Sequence, residues 1–264
     1  MDSDYEEKGY VVFKQVFTSQ ELHNLREVIM QFHRSWKQEN AKFYKEKAVN
    51  SAYLTAKKHL EKPARERLFK FIGSNKLMDR VTEIMGTCPA FMNTQLFFDP
   101  VNLDQRNYWH RDPQYHLSVE EQKSALSGAN VLHFRIPLMD EPGIELIPET
   151  HKRWDTREEL NVRLEQCGRK NYESLPAGVK VSLQAGDLLV FSANMIHRGI
   201  YGMNRLSLDI LFCDPILEFV KFLDNECLPD SEILNKLENA TALNNTIALK
   251  SNYMAMDAVS ETAR

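Results

Sequence analysis

The sequence predicts a mainly β fold, a jelly roll of two sheets with helices packed on its outside. Short strand-like segments separated by turn residues fill residues 90–213, a pattern typical of antiparallel sandwiches and barrels. Segments with helical periodicity lie on either side, at about 18–85 and 215–264. Polar side chains recur along one face of several predicted strands, which indicates a site at the mouth of the jelly roll. We therefore expect residues 1–264 to form a single domain.

Composition excludes several classes of protein. Hydrophobic residues make up 43% and charged residues 27% of the 264 positions, and the formal net charge is −4. These values are typical of a soluble globular protein, and the acidic balance argues against nucleic-acid binding, which needs a basic face. No apolar run is long enough to span a bilayer. We expect a monomer or homodimer that binds neither membrane nor nucleic acid.

The N-terminal segment and the cysteines indicate a cytoplasmic location. Residues 1–7 are acidic and lack the apolar core of a signal peptide. The four cysteines are far apart and form no C-x-x-C pair, so neither a disulfide framework nor a thiolate zinc site is expected. Reduced thiols in the cytoplasm are the simplest interpretation.

The first part of the chain is expected to contain one strand and several helices. Residues 9–13 are rich in β-branched and aromatic side chains, which predicts a short strand. Thr18 and Glu21 form a capping-box pattern, and apolar residues then recur at helical spacing as far as Trp36. Residues 40–70 are helix-prone, and a further short helix is expected at 76–84.

From residue 90 onwards the predicted elements are short strands. In one of them the apolar side chains share one face, so that His133 and Arg135 share the opposite face. Two polar excursions, 115–128 and 151–178, contain helical pieces and are expected to cover the site. The predicted strands are 91–98, 109–112, 131–138, 144–148, 179–183, 188–191 and 205–212.

One motif organises the chemistry of the chain. His110 and Asp112 are separated by one residue, and side chains at i and i+2 of a strand point to the same face. An imidazole, a carboxylate and a second, distant imidazole form the 2-His-1-carboxylate triad, which leaves open positions on Fe(II). The strongest candidate for the second imidazole is His197, just beyond the buried strand at 188–191. We therefore predict that these three residues bind a metal and form a catalytic site.

An anion site is predicted close to the metal. Arg205 follows His197 by eight residues, on the strand expected to be its neighbour. A guanidinium binds a planar carboxylate through two parallel hydrogen bonds, which a lysine does not match. Ser207 lies on the same face and can donate its hydroxyl to that carboxylate. This combined pattern is far more demanding than the His-x-Asp spacing alone.

These motifs together resemble the phytanoyl-CoA dioxygenase family of Fe(II)- and 2-oxoglutarate-dependent oxygenases. The resemblance extends from about residue 9 to about residue 212. The segments that carry it are His110-x-Asp112, 143–152, 185–188, His197-x-Gly199 and Arg205.

The resemblance implies a fold, a set of cofactors and a reaction. The fold is a double-stranded β-helix, the cupin-like variant of the jelly roll, and the cofactors are Fe(II), 2-oxoglutarate and O2. The predicted triad would bind the iron, and Arg205 would hold the distal carboxylate of 2-oxoglutarate in a site also lined by Gln95 and Arg135. Because halogenating relatives replace the carboxylate ligand with a small residue, Asp112 favours hydroxylation or desaturation of a small organic substrate.

Several roles stay open on the sequence alone. An inward-facing Arg135 needs an anionic partner, which can be the cosubstrate, the substrate or a carboxylate such as Asp209. The inward-facing cations favour a polar or anionic small molecule over a long alkyl chain. The candidates for substrate contact are His133, Gln114, Tyr115 and His116.

Two other functions would keep part of this pattern. A cupin-like metalloenzyme that does not use 2-oxoglutarate would keep the triad, but it would not need Arg205 and Ser207. A non-catalytic jelly roll that only binds a ligand would need neither feature. The intact triad argues against that second alternative.

Overall fold

Two antiparallel sheets form the centre of the protein. The structure, a computed structural model, describes residues 3–262. The strands are β1 (Tyr10–Phe13), β2 (Asn50–Ala52), β3 (Ala90–Phe98), β4 (Val131–Pro137), β5 (Glu141–Leu146), β6 (Val179–Leu183), β7 (Leu188–Ser192), β8 (His197–Gly199) and β9 (Leu206–Cys213). The larger sheet has the order β1-β7-β4-β9-β3-β2 and the smaller has the order β6-β5-β8. The predicted jelly-roll architecture is confirmed.

Helices precede, interrupt and follow the strands. The predicted capping box is present, with the backbone N–H of Glu21 donating to the Thr18 side chain. Among the described residues, no helix is long and apolar enough to cross a membrane. The α-helices are α1 (Ser3–Lys8), α2 (Ser19–Glu39), α3 (Ala41–Glu46), α4 (Lys62–Ile72), α5 (Asn75–Met85), α6 (Val119–Ala125), α7 (Arg157–Arg163), α8 (Ser231–Leu234) and α9 (Thr241–Thr262). Short 3-10 helices cover Asp112–Tyr115, Leu217–Phe222 and Asn225–Cys227.

Alternation along β4 gives the larger sheet one apolar face and one charged face. Phe134 and Ile136 join the main core, which also contains Ile29 of α2 and Leu68 of α4. Each such side chain stabilises the fold by roughly 1.5–3 kcal/mol when fully buried. The residues between them point away from the helices, as predicted. The apolar face thus holds the strand in place while the opposite face is left for a site.

The helix-prone segment 40–70 contains a strand that the sequence did not predict. β2 lies at its centre and pairs with the edge of β3, with Ser51 opposite Leu96. The outer edge of β3 presents backbone N–H and C=O groups that need hydrogen-bond partners. Pairing with them stabilises residues 50–52 as a strand by more than their weak helix propensity favours a helix. The predicted helical part at 18–85 is therefore interrupted, and the single catalytic domain of residues 1–264 stays a prediction.

The predicted strand at 109–112 is also absent as a regular element. His110 forms an isolated antiparallel bridge with His197, and a 3-10 helix then begins at Asp112. Pro113 has no N–H to donate and its ring fixes φ, so the ladder cannot continue past it. The backbone at Arg111 is nevertheless extended, and the side chains at its two sides keep a common direction.

Candidate active site

The three predicted metal ligands converge beside β8. The ligand atoms of His110, Asp112 and His197 all lie within 4.8 Å of one another. The two histidines exchange backbone hydrogen bonds of 3.0 and 2.9 Å, and their ring centroids are 4.2 Å apart. Oδ1 of Asp112 lies 3.5 Å from Nε2 of His110 and 3.6 Å from Nε2 of His197. The backbone bridge therefore sets the spacing of the cluster.

The second nitrogen of each histidine is bound to a backbone carbonyl. Nδ1 of His110 lies 3.1 Å from the oxygen of Tyr108, and Nδ1 of His197 lies 3.0 Å from that of Met195. A carbonyl oxygen only accepts hydrogen bonds, so each Nδ1 carries the proton and each Nε2 presents a lone pair to the cluster. Burial lowers the pKa of His110 and lowers that of His197 to about 3. Both rings are therefore neutral, which is the form that binds metals.

The other oxygen of Asp112 already has a partner. Nε2 of His133 donates to Oδ2 of Asp112 at 2.7 Å, and Nδ1 of His133 donates to Oδ2 of Asp209 at 3.0 Å. Burial lowers the pKa of His133, but the two carboxylates raise it by more, to about 9. Burial raises the pKa of Asp112, and the neighbouring histidines, first of all His133, bring it below its ordinary value. Both ring nitrogens are therefore occupied by carboxylates, while the ring also lines the cavity, and contact of His133 with substrate stays a prediction.

A buried arginine lies two residues further along β4. Nε and Nη2 of Arg135 donate to the two oxygens of Asp209 at 2.7 and 2.9 Å. The two residues are direct neighbours across β4 and β9, and their side chains are 2% and 0% exposed. Of the three anionic partners open to Arg135 on the sequence, the structure contains the carboxylate of Asp209.

A second buried arginine has a carboxylate partner that the sequence did not indicate. Nε of Arg205 lies 3.3 Å from Oε2 of Glu141. The Ser207 hydroxyl, predicted to donate to a cosubstrate, donates to the same oxygen at 2.5 Å. Its proton is thus given to a resident carboxylate, and a role of Ser207 towards the cosubstrate stays a prediction. A buried arginine needs an anion, and this requirement was the signal that could have pointed to Glu141.

Both arginines keep N–H groups that no described side chain or backbone group accepts. These are on Nη1 of Arg135 and Nη2 of Arg205, and both atoms are buried. The two guanidinium carbons lie 4.5 and 5.4 Å from the ring centroid of Phe97. A buried donor without a partner costs about 1–3 kcal/mol. The pair therefore fits an added anion, and a carboxylate matches the planar guanidinium best.

A cavity of about 860 Å³ joins the metal cluster to both arginines, a volume typical of small-molecule sites. Successive inward residues of β4 line it from Val131 through His133 to Arg135, a span of roughly 13 Å. His133 is the middle residue of this row and contacts Asp112, so the metal cluster lies between the two ends of the cavity. We call the end with Gln95, Phe97, Arg135 and Arg205 the arginine side. The other end, lined by α6 and the 3-10 helix Leu217–Phe222, is the helical side.

Aromatic side chains flank the metal cluster. The hydroxyls of Tyr108 and Tyr115 are 2.8 Å apart, and their rings flank His110 with centroid distances of 5.1 and 5.6 Å. The His116 ring lies 5.3 Å from that of Phe222. Both Tyr115 and His116 line the cavity, and their contact with substrate stays a prediction.

Gln114 and the second excursion do not take the places that the sequence predicted. Oε1 of Gln114 accepts from Nη1 of Arg163 at 2.7 Å, and Gln114 is not among the cavity-lining residues. The buried guanidinium of Arg163 needs acceptors, and Gln114 supplies one. Residues 151–178, all within the described part of the chain, contribute none of the lining either. Of the two predicted covers, only 115–128 reaches the cavity.

A model of the phytanoyl-CoA dioxygenase family matches residues 5–200 of the sequence. The chain belongs to this family. No curated protein matches it in sequence. The match covers the metal cluster, the first excursion and the strands of the smaller sheet. Membership confirms the predicted class, an oxygenase that uses iron and 2-oxoglutarate.

Solved structures share the fold of this family member at low sequence identity. AviO1 from Streptomyces viridochromogenes Tue57 aligns with a TM-score of 0.55 at 17% identity, over 80% of this chain and 92% of that one. EctD from S. alaskensis, solved with 2-oxoglutarate and 5-hydroxyectoine, aligns with a TM-score of 0.55 at 14% identity, over 80% and 74%. The epimerase SnoN, solved with Fe3+, alpha ketoglutarate and nogalamycin RO, gives 0.52 at 15% identity, over 81% and 82%.

The residue between the two ligands of the motif anchors the site of this dioxygenase-family chain. Nε of Arg111 donates to Asp155 at 2.9 Å, and its Nη1 donates to the carbonyl oxygens of Thr150 and Asn194. The side chain is 1% exposed. In the His-x-Asp motif, Arg111 is only the spacer between the two predicted ligands. Alternation was the available signal, since the middle residue of an extended i, i+2 pair points into the protein.

We predict that Arg111→Met destabilises the protein by roughly 3–5 kcal/mol, because it leaves buried acceptors and part of the Asp155 charge without a donor. Urea denaturation would measure the loss. Arg67→Met is the matched control, since Arg67 forms an exposed pair with Glu27 at 3.2 Å and should cost less than about 1 kcal/mol. Equal losses in the two variants would contradict the anchoring role.

Proposed function

We propose that this chain hydroxylates a small organic molecule with Fe(II), 2-oxoglutarate and O2, releasing succinate and CO2. The observation that carries the proposal is the position of three metal-binding side chains beside two buried arginines whose Nη groups lack partners among the described residues. A dicarboxylate that chelates a metal with one end needs a cation for the other. A metalloenzyme without 2-oxoglutarate would have no use for this pair.

His110, Asp112 and His197 are the proposed iron ligands. Two imidazole Nε2 atoms and one carboxylate oxygen are the donor set of the 2-His-1-carboxylate triad. Iron bound by these residues would, with 2-oxoglutarate and O2, supply an oxidant that attacks unactivated C–H bonds. The carboxylate of Asp112 occupies the position that halogenating relatives leave open for a halide. The chain therefore favours hydroxylation or desaturation over halogen transfer.

Arg205 and Arg135 are proposed to hold the distal carboxylate of 2-oxoglutarate. Each guanidinium is already fixed by a buried carboxylate, so neither has to be ordered when the cosubstrate enters. Gln95 lines the same side, and its amide can donate to a carboxylate oxygen. Ser207 is proposed to act on the cosubstrate indirectly. Its hydroxyl donates to Glu141, and Glu141 in turn accepts from Arg205 and fixes it.

The substrate is proposed to occupy the helical side and to carry no negative charge. The inward cations that favoured an anionic substrate, His133 and Arg135, both have carboxylate partners. An acyl-CoA brings phosphates, which need arginine or lysine partners. We therefore propose a compact neutral or cationic molecule in contact with Tyr115 and His116. Among the lining residues that the structure describes, the charges on the helical side are Glu120, Glu121 and Glu218. Glu120 pairs with Lys123 at 2.8 Å, and Glu121 accepts from the backbone N–H of Ser118 at 2.7 Å.

Loss of one ligand should remove the metal site. Under anaerobic conditions, Fe(II) and 2-oxoglutarate added to the wild-type chain should give a weak visible charge-transfer absorption. We expect His110→Ala to abolish this absorption and succinate release, because two protein ligands hold iron far more weakly than three. His116→Ala, a cavity histidine outside the cluster, should keep the absorption. An unchanged absorption in His110→Ala would reject His110 as a ligand.

Loss of the cosubstrate anchor should spare the metal. Arg205→Met is expected to weaken 2-oxoglutarate binding roughly 10- to 100-fold, the effect of about 1.5–3 kcal/mol for a hydrogen bond to a charged group. Titration of the charge-transfer absorption measures it. Arg198→Met removes an arginine paired with Glu145 at 2.7 Å and should change nothing, since Arg198 does not line the cavity. Equal 2-oxoglutarate affinity in all three proteins would move the anchor elsewhere.

The charge preference of the substrate site can be tested with compounds that share one carbon skeleton and differ in charge. We expect phenylpropylamine and phenylpropanol to bind more tightly than phenylpropionate or phenylpropionyl-CoA, because the described charged residues that line the helical side are all carboxylates. Perturbation of the charge-transfer absorption reports binding next to the metal, and succinate release reports productive binding. A preference for the CoA ester would overturn the proposed substrate class.

A further inference from the structure

The ring of His133 is held between two carboxylates and has no free nitrogen. Nε2 lies 2.7 Å from Oδ2 of Asp112 and Nδ1 lies 3.0 Å from Oδ2 of Asp209. An ionised carboxylate only accepts hydrogen bonds, so both nitrogens must donate. This geometry alone requires the doubly protonated ring. A neutral imidazole would leave one carboxylate facing a lone pair.

We propose that His133 is a positioning residue for the metal carboxylate, an inference that rests on the proposed iron site. Its N–H engages Oδ2 of Asp112, which leaves Oδ1 as the oxygen directed at the two histidine ligands. Asp112 would then bind the metal through one oxygen. A carboxylate bound through both oxygens would take one of the three positions that the triad leaves open. His133 thus keeps the number of open positions that the cosubstrate and O2 require.

Stacking and hydrogen bonds together prevent the ring of His133 from rotating. It stacks on Phe191 with a centroid distance of 4.5 Å and an interplanar angle of 11°, and it is 2% exposed. Asp209, its second partner, is itself fixed by two hydrogen bonds from Arg135. Rotation of the ring would break two charge-assisted hydrogen bonds at once. Residues of the larger sheet therefore fix the direction of the N–H group that donates to Asp112.

The same carboxylate links the two halves of the proposed chemistry. Asp209 accepts from His133 on the metal side and from Arg135 on the arginine side. One sheet residue thereby aligns both the ligand of the iron and an anchor of the cosubstrate. Side chains that hydrogen-bond to a metal ligand and orient it in this way commonly contribute about 10- to 100-fold in metal affinity.

Two amide substitutions separate the two hydrogen bonds of the ring. The side-chain nitrogen of asparagine is as many bonds from Cα as Nδ1 of histidine, and that of glutamine as many as Nε2. His133→Asn can therefore keep the bond to Asp209 and lose the bond to Asp112. His133→Gln can keep the bond to Asp112. Both remove the ring and its charge, so each serves as the control for the other.

The experiment measures Ni(II) affinity of the full chain by calorimetry without 2-oxoglutarate, alongside thermal unfolding. We expect His133→Asn to bind Ni(II) about 10- to 100-fold more weakly than wild type, and His133→Gln to stay close to wild type. Equal affinities in all three proteins, or equal losses in both variants, would overturn the positioning role. A merely structural role would lower the unfolding temperature of both variants without separating their affinities.

A second measurement serves if His133→Asn does not fold. Metal-minus-apo infrared spectra of the wild-type chain with Zn(II) should show the wide carboxylate splitting of binding through one oxygen, and the narrow splitting of two-oxygen binding would overturn the inference. Failure of the iron site itself looks different, because His110→Ala would then bind Ni(II) as tightly as wild type. The proposed function and the role of His133 can therefore fail separately.

Discussion

Burial of charge is the constraint on which the site depends. Asp209, Arg135, Glu141 and Arg205 are each 3% exposed or less. Breaking a pair in such surroundings costs about 3–5 kcal/mol, against about 0–1 kcal/mol for a pair on the surface. β4 and β9 supply the partners directly, because Arg135 and Asp209 are cross-strand neighbours. A slip of one residue between these strands would turn the side chains of one strand to the opposite face and separate Arg135 from Asp209. Strand register and charge pattern therefore specify one another.

The same constraint explains how buried arginines can serve a ligand. A guanidinium can satisfy a resident carboxylate with part of its fork and still present further N–H groups, which a lysine held as a point charge cannot do. Nη1 of Arg135 and Nη2 of Arg205 are such groups. Leaving them unsatisfied costs about 1–3 kcal/mol each, and the apolar packing on the opposite face of the sheet offsets that loss. In the proposed function, an entering carboxylate would meet donors that the resident carboxylates already orient, so little ordering would oppose its binding.

The sequence predicts the parts of this site that depend on local spacing. The i, i+2 spacing of His110 and Asp112 survives even though Pro113 ends the expected strand after a single bridge. Alternation likewise predicts which side chains of β4 and β9 share a face. Partners that are distant in sequence were not predictable in the same way. Arg111 and Asp155 are separated by 44 positions, and Glu141 follows a segment that resembles an ordinary turn. Local propensity carries no information about which buried charges meet.

The two sides of the cavity differ in how freely they can change. The arginine side is built on central strands, where a substitution breaks a buried ion pair. The helical side is built on α6 and the 3-10 helix Leu217–Phe222, outside both sheets, where most substitutions change stability by less than about 0.5 kcal/mol. Under the proposed assignment of the two sides, substrate contacts can diverge while the cosubstrate site is retained. Structures that share only 14–17% identity with this chain keep its fold. If the substrate occupies the helical side as proposed, the charges there, rather than the family to which the chain belongs, are the physical guide to its identity.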